Sequence, residues 1–347
     1  MIPSWELFFP PNTRVLALPN WRSPRLFLPK HHGLQRWQDS AFYPASRLLA
    51  RSYRFSLRVR AATGFGATRQ TRLDDWPLGN FVGDVLPQAT SAVVLVGTAG
   101  PAQKITVQIL GSEGEVIGYL KYGDKIAARN RIRQESRLLR HIPSGLGPEL
   151  IKFGSLGGGE ALLMSVLSGK RLPATLPPTT SLVDFSMSLT VSPGLSFEAH
   201  PWVQCMRKTS GQVCEPWFET LSDKAWTTVV QHGDFAPWNL LRKPEGTLGA
   251  IDWEYGILEG FPHLDLAYFV LQVLALIYRQ GPLEAAERTA RYLVGQPKLA
   301  LNVEEARALT RLAAYDAYLK SREDGQPDGA SLQEWRRSVW EGKTYDP

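Results

Sequence analysis

Asp234 and Asn239 stand five residues apart in the segment Val229-Val230-Gln231-His232-Gly233-Asp234-Phe235-Ala236-Pro237-Trp238-Asn239, where an apolar run gives way to a loop. A carboxylate placed there can accept the proton of an attacking hydroxyl, and an amide oxygen can hold a hard divalent cation. A second acid follows in Ile251-Asp252-Trp253-Glu254. One base and two oxygen ligands suit metal-assisted group transfer, in which a protein mainly positions reactants and neutralises developing charge.

These residues must be brought together by the elements that carry them. Leu240 to Lys243 and Leu248 to Asp252 read as two strands joined by a four-residue loop, Pro244-Glu245-Gly246-Thr247. In that register 241 faces 250 and 239 faces 252, which sets the Cβ atoms of Asn239 and Asp252 about 4.5–5.5 Å apart. A slip of one residue would turn one of the two to the opposite face.

Upstream, Val93–Val96, Ile105–Leu110 and Val116–Lys121 predict a three-stranded antiparallel meander, with Gly97 to Lys104 and Gly111-Ser112-Glu113-Gly114 between the strands. A helix opened by Asp124 should follow, because Ala128, Ile132, Glu135, Leu139 and Ile142 recur at helical spacing. Glu135 is the one acid on that inward stripe. A strand over Ala161–Leu167 leads into a Pro- and Ser-rich stretch, and the last third predicts helices near 263–279, 283–295, 303–322 and 331–341.

Taken together, His232-Gly233-Asp234 with Asn239, Ile251-Asp252-Trp253-Glu254 and Leu264-Asp265-Leu266-Ala267 resemble the aminoglycoside phosphotransferase and choline kinase family. The similarity in layout covers about residues 91–280. It implies an α+β, protein-kinase-like bilobal fold, with a small antiparallel sheet as the N-lobe and a mainly helical C-lobe. It implies that Asp234 is the catalytic base, that Asn239 and Asp252 bind Mg2+, and that Asp265 anchors the catalytic loop. The reaction implied is transfer of the γ-phosphate of ATP or GTP to a hydroxyl of a sugar, an amino alcohol or a glycan-like acceptor.

Lys121 ends the third strand and Glu135 follows fourteen residues later, which suits a strand lysine gripping phosphates and a helix glutamate holding it. Gly97 and Gly100 precede Pro101 and depart from Gly-x-Gly-x-x-Gly, so the loop reads either as a phosphate cradle or as an ordinary hairpin turn. Met164-Ser165-Val166 occupies the place of an inter-lobe hinge, where Met164 and Val166 would meet the base; an edge strand is the alternative. His232 reads as a structural histidine, because Asp234 already supplies the base. The alternative for the whole chain is a catalytically weak nucleotide-binding pseudokinase or scaffold.

Composition narrows the class. Of 347 residues, 44% are hydrophobic and 21% charged, as in ordinary soluble proteins. The longest strongly apolar stretch, Phe269 to Tyr278, is far shorter than the roughly 20 residues a bilayer requires. Cys205 and Cys214 match no zinc or redox spacing, and the N-terminus does not read as a secretory signal, so a cytoplasmic location is expected.

Three segments are expected: a basic, Arg-, Pro- and aromatic-rich extension over 1–80, loosely structured; a nucleotide-binding N-lobe over 81–168; and a catalytic and acceptor-binding C-lobe over 169–347, in which 172–222 shapes the acceptor pocket. Their net charges are +8, +2 and −4. The first suggests peripheral contact with an anionic membrane surface, but no run of consecutive basic residues occurs there. No nucleic-acid partner is expected.

Overall fold

Short apolar runs build the first of two units in the computed structural model, which describes residues 5–30, 33–43, 48–179 and 181–343. This unit comprises the chain to Ser136 together with Pro148–Val166, and the second comprises Arg137–Gly147 with Leu167 to the C-terminus. The boundary after Val166 lies close to the expected one at 168, while 137–147 joins the second unit. The architecture is α+β, with one antiparallel sheet unit and one mainly helical unit.

The first unit holds β1 (Arg14–Leu18), β2 (Leu26–Pro29), β3 (Thr68–Gln70), β4 (Ser91–Val96), β5 (Ile105–Leu110), β6 (Val116–Gly123), β7 (Leu150–Leu156) and β8 (Gly159–Met164). They form one eight-stranded sheet in the order β3-β1-β2-β4-β5-β6-β8-β7. The expected meander is β4-β5-β6, in which Lys121 pairs with Thr106. Four helices accompany the sheet: α1 (Gly33–Asp39), α2 (Leu48–Thr63), α3 (Pro77–Val82) and α4 (Ile126–Leu139).

Residues 1–80 are not the loose extension that their composition suggested. β1, β2 and β3 belong to the sheet itself. Val15 and Ala17 of β1 enter one core with Phe27, Val94 and Val107, while Leu16 and Leu18 enter a second with Leu57 and Ala61 of α2. A strand buried on both faces reads as a continuous apolar run without alternation, which is why its sequence gave so weak a signal. The alternation from Tyr53 to Val59 belongs to a helix, where Leu57 faces the core and Tyr53, Phe55 and Val59 are exposed.

The second unit contains β9 (Lys170–Arg171), β10 (Val229–Gln231), β11 (Leu240–Arg242), β12 (Leu248–Ala250) and β13 (Ile257–Gly260). Its helices are α5 (Ser181–Ser188), α6 (Pro201–Ser210), α7 (Glu215–Leu221), α8 (Leu264–Leu276), α9 (Pro282–Val294), α10 (Val303–Glu323) and α11 (Ser331–Glu341). The last four match the expected helices closely, and the Pro- and Ser-rich stretch contains α5, α6 and α7.

The hairpin after the Asp234 loop differs from the expected one by a single residue. Leu240 pairs with Ala250, Leu241 with Gly249 and Arg242 with Leu248, and the Ile251 amide donates to the Asn239 carbonyl at 2.9 Å. The Lys243 amide donates to the Thr247 carbonyl, so the loop is only Pro244-Glu245-Gly246, with Gly246 at φ 90°. A type I turn closed by a left-handed glycine makes a three-residue loop, and Gly246 supplies that conformation without a Cβ to strain. Asn239 therefore faces Ile251.

Candidate active site

The loop from His232 to Asp234 is held from two directions. β10 and β13 pair antiparallel beneath it. From the first turn of α8, Asp265 accepts the His232 amide at 2.6 Å and the Gly233 amide at 3.0 Å. The His232 ring ties the loop to the next motif, since its Nδ1 accepts the Asp234 amide at 3.2 Å and its Nε2 meets the Ile251 carbonyl at 2.9 Å. An accepting Nδ1 and a donating Nε2 define a neutral imidazole, whose role is structural. Trp253, fully buried, lies against that ring at 4.6 Å and donates to the Ala250 carbonyl.

Gly233 has no alternative at its position. Its φ is 79°, and a Cβ there would run into the Tyr255 carbonyl oxygen. Gly233→Ala is expected to cost about 2–4 kcal/mol, combining left-handed strain with backbone overpacking, and denaturant unfolding will measure it. Wild-type stability in this variant would show that the loop accommodates the methyl by shifting.

The Asp234 carboxylate receives two donors. Tyr268 Oη donates to Oδ1 at 2.7 Å and Asn239 Nδ2 to Oδ2 at 2.8 Å. Burial pushes its pKa up to about 6, and the charge of Asp252 adds to the rise, while the donors from Tyr268 and Asn239 oppose it. Asp265 is raised to about 6 by burial as well, against the pull of the two amides that it accepts.

Asn239 and Asp252 approach Asp234 by a route other than the ladder. Asn239 ends the short 3-10 helix Pro237–Asn239, and Asp252 follows β12 in a left-handed conformation, φ 71°. Asn239 Nδ2 also donates to the Asp234 carbonyl at 2.9 Å; both partners are acceptors, which sets the amide's sense and turns Oδ1 the other way. Carboxylate oxygens of Asp252 and Glu254 lie within 4.8 Å of each other. An amide oxygen and two close carboxylates are a donor set that fits a hard cation such as magnesium.

In the first unit, Lys121 Nζ lies 2.7 and 2.6 Å from the two carboxylate oxygens of Glu135, with Glu135 fully buried. The pair expected from sequence is thus brought together. Gly97 ends the β4–β5 hairpin by donating to the Lys104 carbonyl, and a Cβ on it would come within 2.6 Å of that oxygen. The Gly100 carbonyl accepts from Lys125 Nζ at 2.8 Å. Both glycines therefore shape an eight-residue hairpin loop. Met164 is buried at the end of β8, paired with Tyr119 and Leu150, and the first unit ends at Val166, which is partly exposed.

Tyr268 is the site residue that sequence reasoning missed. A signal existed: Asp265, Tyr268 and Gln272 recur at spacings of three and four along the apolar helix α8, which places them on one face. A polar stripe on a helix buried nearly all round must face polar partners.

Residues 170–302 match the sequence profile of the phosphotransferase enzyme family. The matched stretch contains Asp234, Asn239, Asp252 and Asp265, in agreement with the resemblance read from the motifs. No curated protein matches the chain. Among solved structures, an ethanolamine kinase from Plasmodium vivax is similar at 11% identity and a TM-score of 0.46, covering 72% of this chain and 82% of that one. The choline kinase LicA from Streptococcus pneumoniae is similar at 15% identity and a TM-score of 0.40, covering 76% and 96%. An aminoglycoside phosphotransferase from Streptomyces rimosus, solved with ADP and streptomycin, is similar at 17% identity and a TM-score of 0.39, covering 67% and 96%.

Proposed function

We propose that this chain is a small-molecule kinase that transfers the γ-phosphate of ATP or GTP to a hydroxyl of a sugar, amino alcohol or glycan-like acceptor. The observation that carries the reading is the Asp234 carboxylate, aimed by Tyr268 and Asn239 and set beside Asp252. The match of residues 170–302 to a phosphotransferase family supports it independently.

In this reading Asp234 accepts hydrogen-bond contact from the acceptor hydroxyl and takes its proton as the oxygen attacks. Tyr268 and Asn239 fix the carboxylate's orientation, which spares reorganisation during the step. Asn239 and Asp252 would hold Mg2+, with Glu254 adding negative charge. An ion so held would supply positive charge against the phosphates. In the first unit, Lys121 would grip nucleotide phosphates, Glu135 would keep its ammonium extended, the 97–104 loop would offer amides, and Met164 and Val166 would meet the base.

The direct test incubates labelled nucleotide with a panel of small hydroxyl compounds, using Asp234→Ala as the control. Transfer to at least one class of acceptor, absent in the control, is expected; full turnover by Asp234→Ala would refute the assignment.

The pH dependence follows from the raised pKa. A base must be ionised, so kcat/KM should fall as pH drops through about 6. Tyr268→Phe removes a donor that favours the ionised carboxylate. Its acid limb should therefore move upward by about one pH unit, with a lower plateau at pH 8.5 because Asn239 alone then aims the carboxylate. An unmoved limb would show that Tyr268 does not tune the base.

A further inference from the structure

The acid-free stretch of the first unit also presents apolar side chains to solvent. From Ser40 to Leu73 the sequence contains seven arginines and no aspartate or glutamate. Within it, α2 turns Leu57 and Ala61 into the core, and apolar side chains elsewhere on the helix reach solvent. Phe55 and Val59, one turn apart, are 60% and 41% exposed, and Phe65, just beyond the helix, is 72% exposed. Leu34 on α1 is 73% exposed, and Arg36 ties α1 to the end of α2 by donating to the Ala61 and Ala62 carbonyls.

Arginines flank these apolar groups. Arg58 stacks over Trp37 at 4.0 Å, and Arg60 lies 5.9 Å from the Phe65 ring. Arg54 and Arg58 are one turn apart, an arrangement that costs helix stability unless an opposing charge relieves it. Cationic groups around exposed aromatic and aliphatic side chains fit a surface that is anionic outside and apolar just beneath. Nucleic acid would need polar groups for base edges or phosphates where Phe55, Val59 and Leu34 stand.

We propose that the α1–α2 face is a docking surface for an anionic phospholipid membrane. Phe55, Phe65 and Leu34 enter the headgroup boundary, and Arg54, Arg58 and Arg60 meet lipid phosphates. Docking of this kind would bring a catalytic chain to acceptors held at a membrane, but the surface stands on its own evidence and does not depend on the kinase reading.

The test is sedimentation of the full chain with vesicles of phosphatidylcholine, with and without phosphatidylglycerol. Binding is expected only to the anionic vesicles, with a steep loss as salt rises from about 50 to 300 mM. Phe55→Ser with Phe65→Ser should reduce it about tenfold or more, and Arg54→Ala with Arg58→Ala and Arg60→Ala about a hundredfold. Nucleotide turnover should stay near wild type, since none of these residues belongs to the proposed active site, and thermal unfolding should fall only as far as loss of the Arg58 and Phe55 contacts with Trp37 requires. The wild-type arm decides even if a variant fails to fold. Absence of binding to anionic vesicles at low salt would overturn the proposal. So would duplex DNA binding that ignores the Phe substitutions, or an oligomeric mass that these substitutions abolish.

Discussion

Asp234→Asn should lower phosphoryl transfer by about 10²–10⁴-fold while making the folded protein more stable at pH 8. The two effects share one cause. A carboxyl whose ordinary pKa is near 3.8 sits at about 6 in the folded chain, mainly because burial disfavours its charge. Between those values the folded state binds more protons than the unfolded state, so its stability falls as pH rises, and the full cost is present above about 6. An amide of the same shape carries no such charge. It still offers an oxygen to one donor, and the Tyr268 hydroxyl can rotate to accept from its nitrogen.

The stability gain should be about 1–2 kcal/mol at pH 8 and should vanish near pH 3.5, where both states carry a protonated carboxyl. Denaturant unfolding of both proteins across pH, together with the transfer assay, measures both halves. A variant that loses activity without gaining stability at pH 8 would mean that the buried charge is already balanced by the Tyr268 and Asn239 donors.

Lys121→Met is expected to destabilise the first unit by about 3–5 kcal/mol, the largest stability effect of any substitution considered. Lys121 is 8% exposed and Glu135 fully buried, and the ammonium meets both carboxylate oxygens. Removing one partner strands the other charge out of water, whereas replacing both by apolar groups does not. Lys121→Met with Glu135→Leu should recover most of the lost stability, giving a coupling of about 2 kcal/mol or more.

Nucleotide binding separates the two roles of this pair. The double variant should be stable yet bind ATP or GTP weakly, because the cation for the phosphates is gone. Wild-type nucleotide affinity in a stable double variant would remove Lys121 from the proposed site and leave a purely structural ion pair.

Residue types and short spacings were enough to pick out the candidate site. Asp234, Asn239, Asp252 and Asp265 lie within one stretch of chain, and a loop between short strands keeps such neighbours close in almost any packing. The fourteen residues from Lys121 to Glu135 span one turn and part of one helix, so that pair could also be read directly. Local patterns likewise revealed the β4-β5-β6 meander and the four C-terminal helices, through an amphipathic period in most of them and through the apolar runs of β4 and α8.

Tertiary structure decided what depends on distant partners or on one dihedral angle. The hairpin slipped by one residue because Gly246 adopts φ 90°, and Asn239 ends a 3-10 turn while Asp252 takes a left-handed conformation instead of facing it in the ladder. Tyr268 became part of the site only because α8 packs beneath the catalytic loop. Residues 14–29 became sheet because apolar groups on both faces found separate cores, the second closed by α2. A strand buried on both sides carries no alternation, so only the packing itself could distinguish it from a loose, arginine-rich arm.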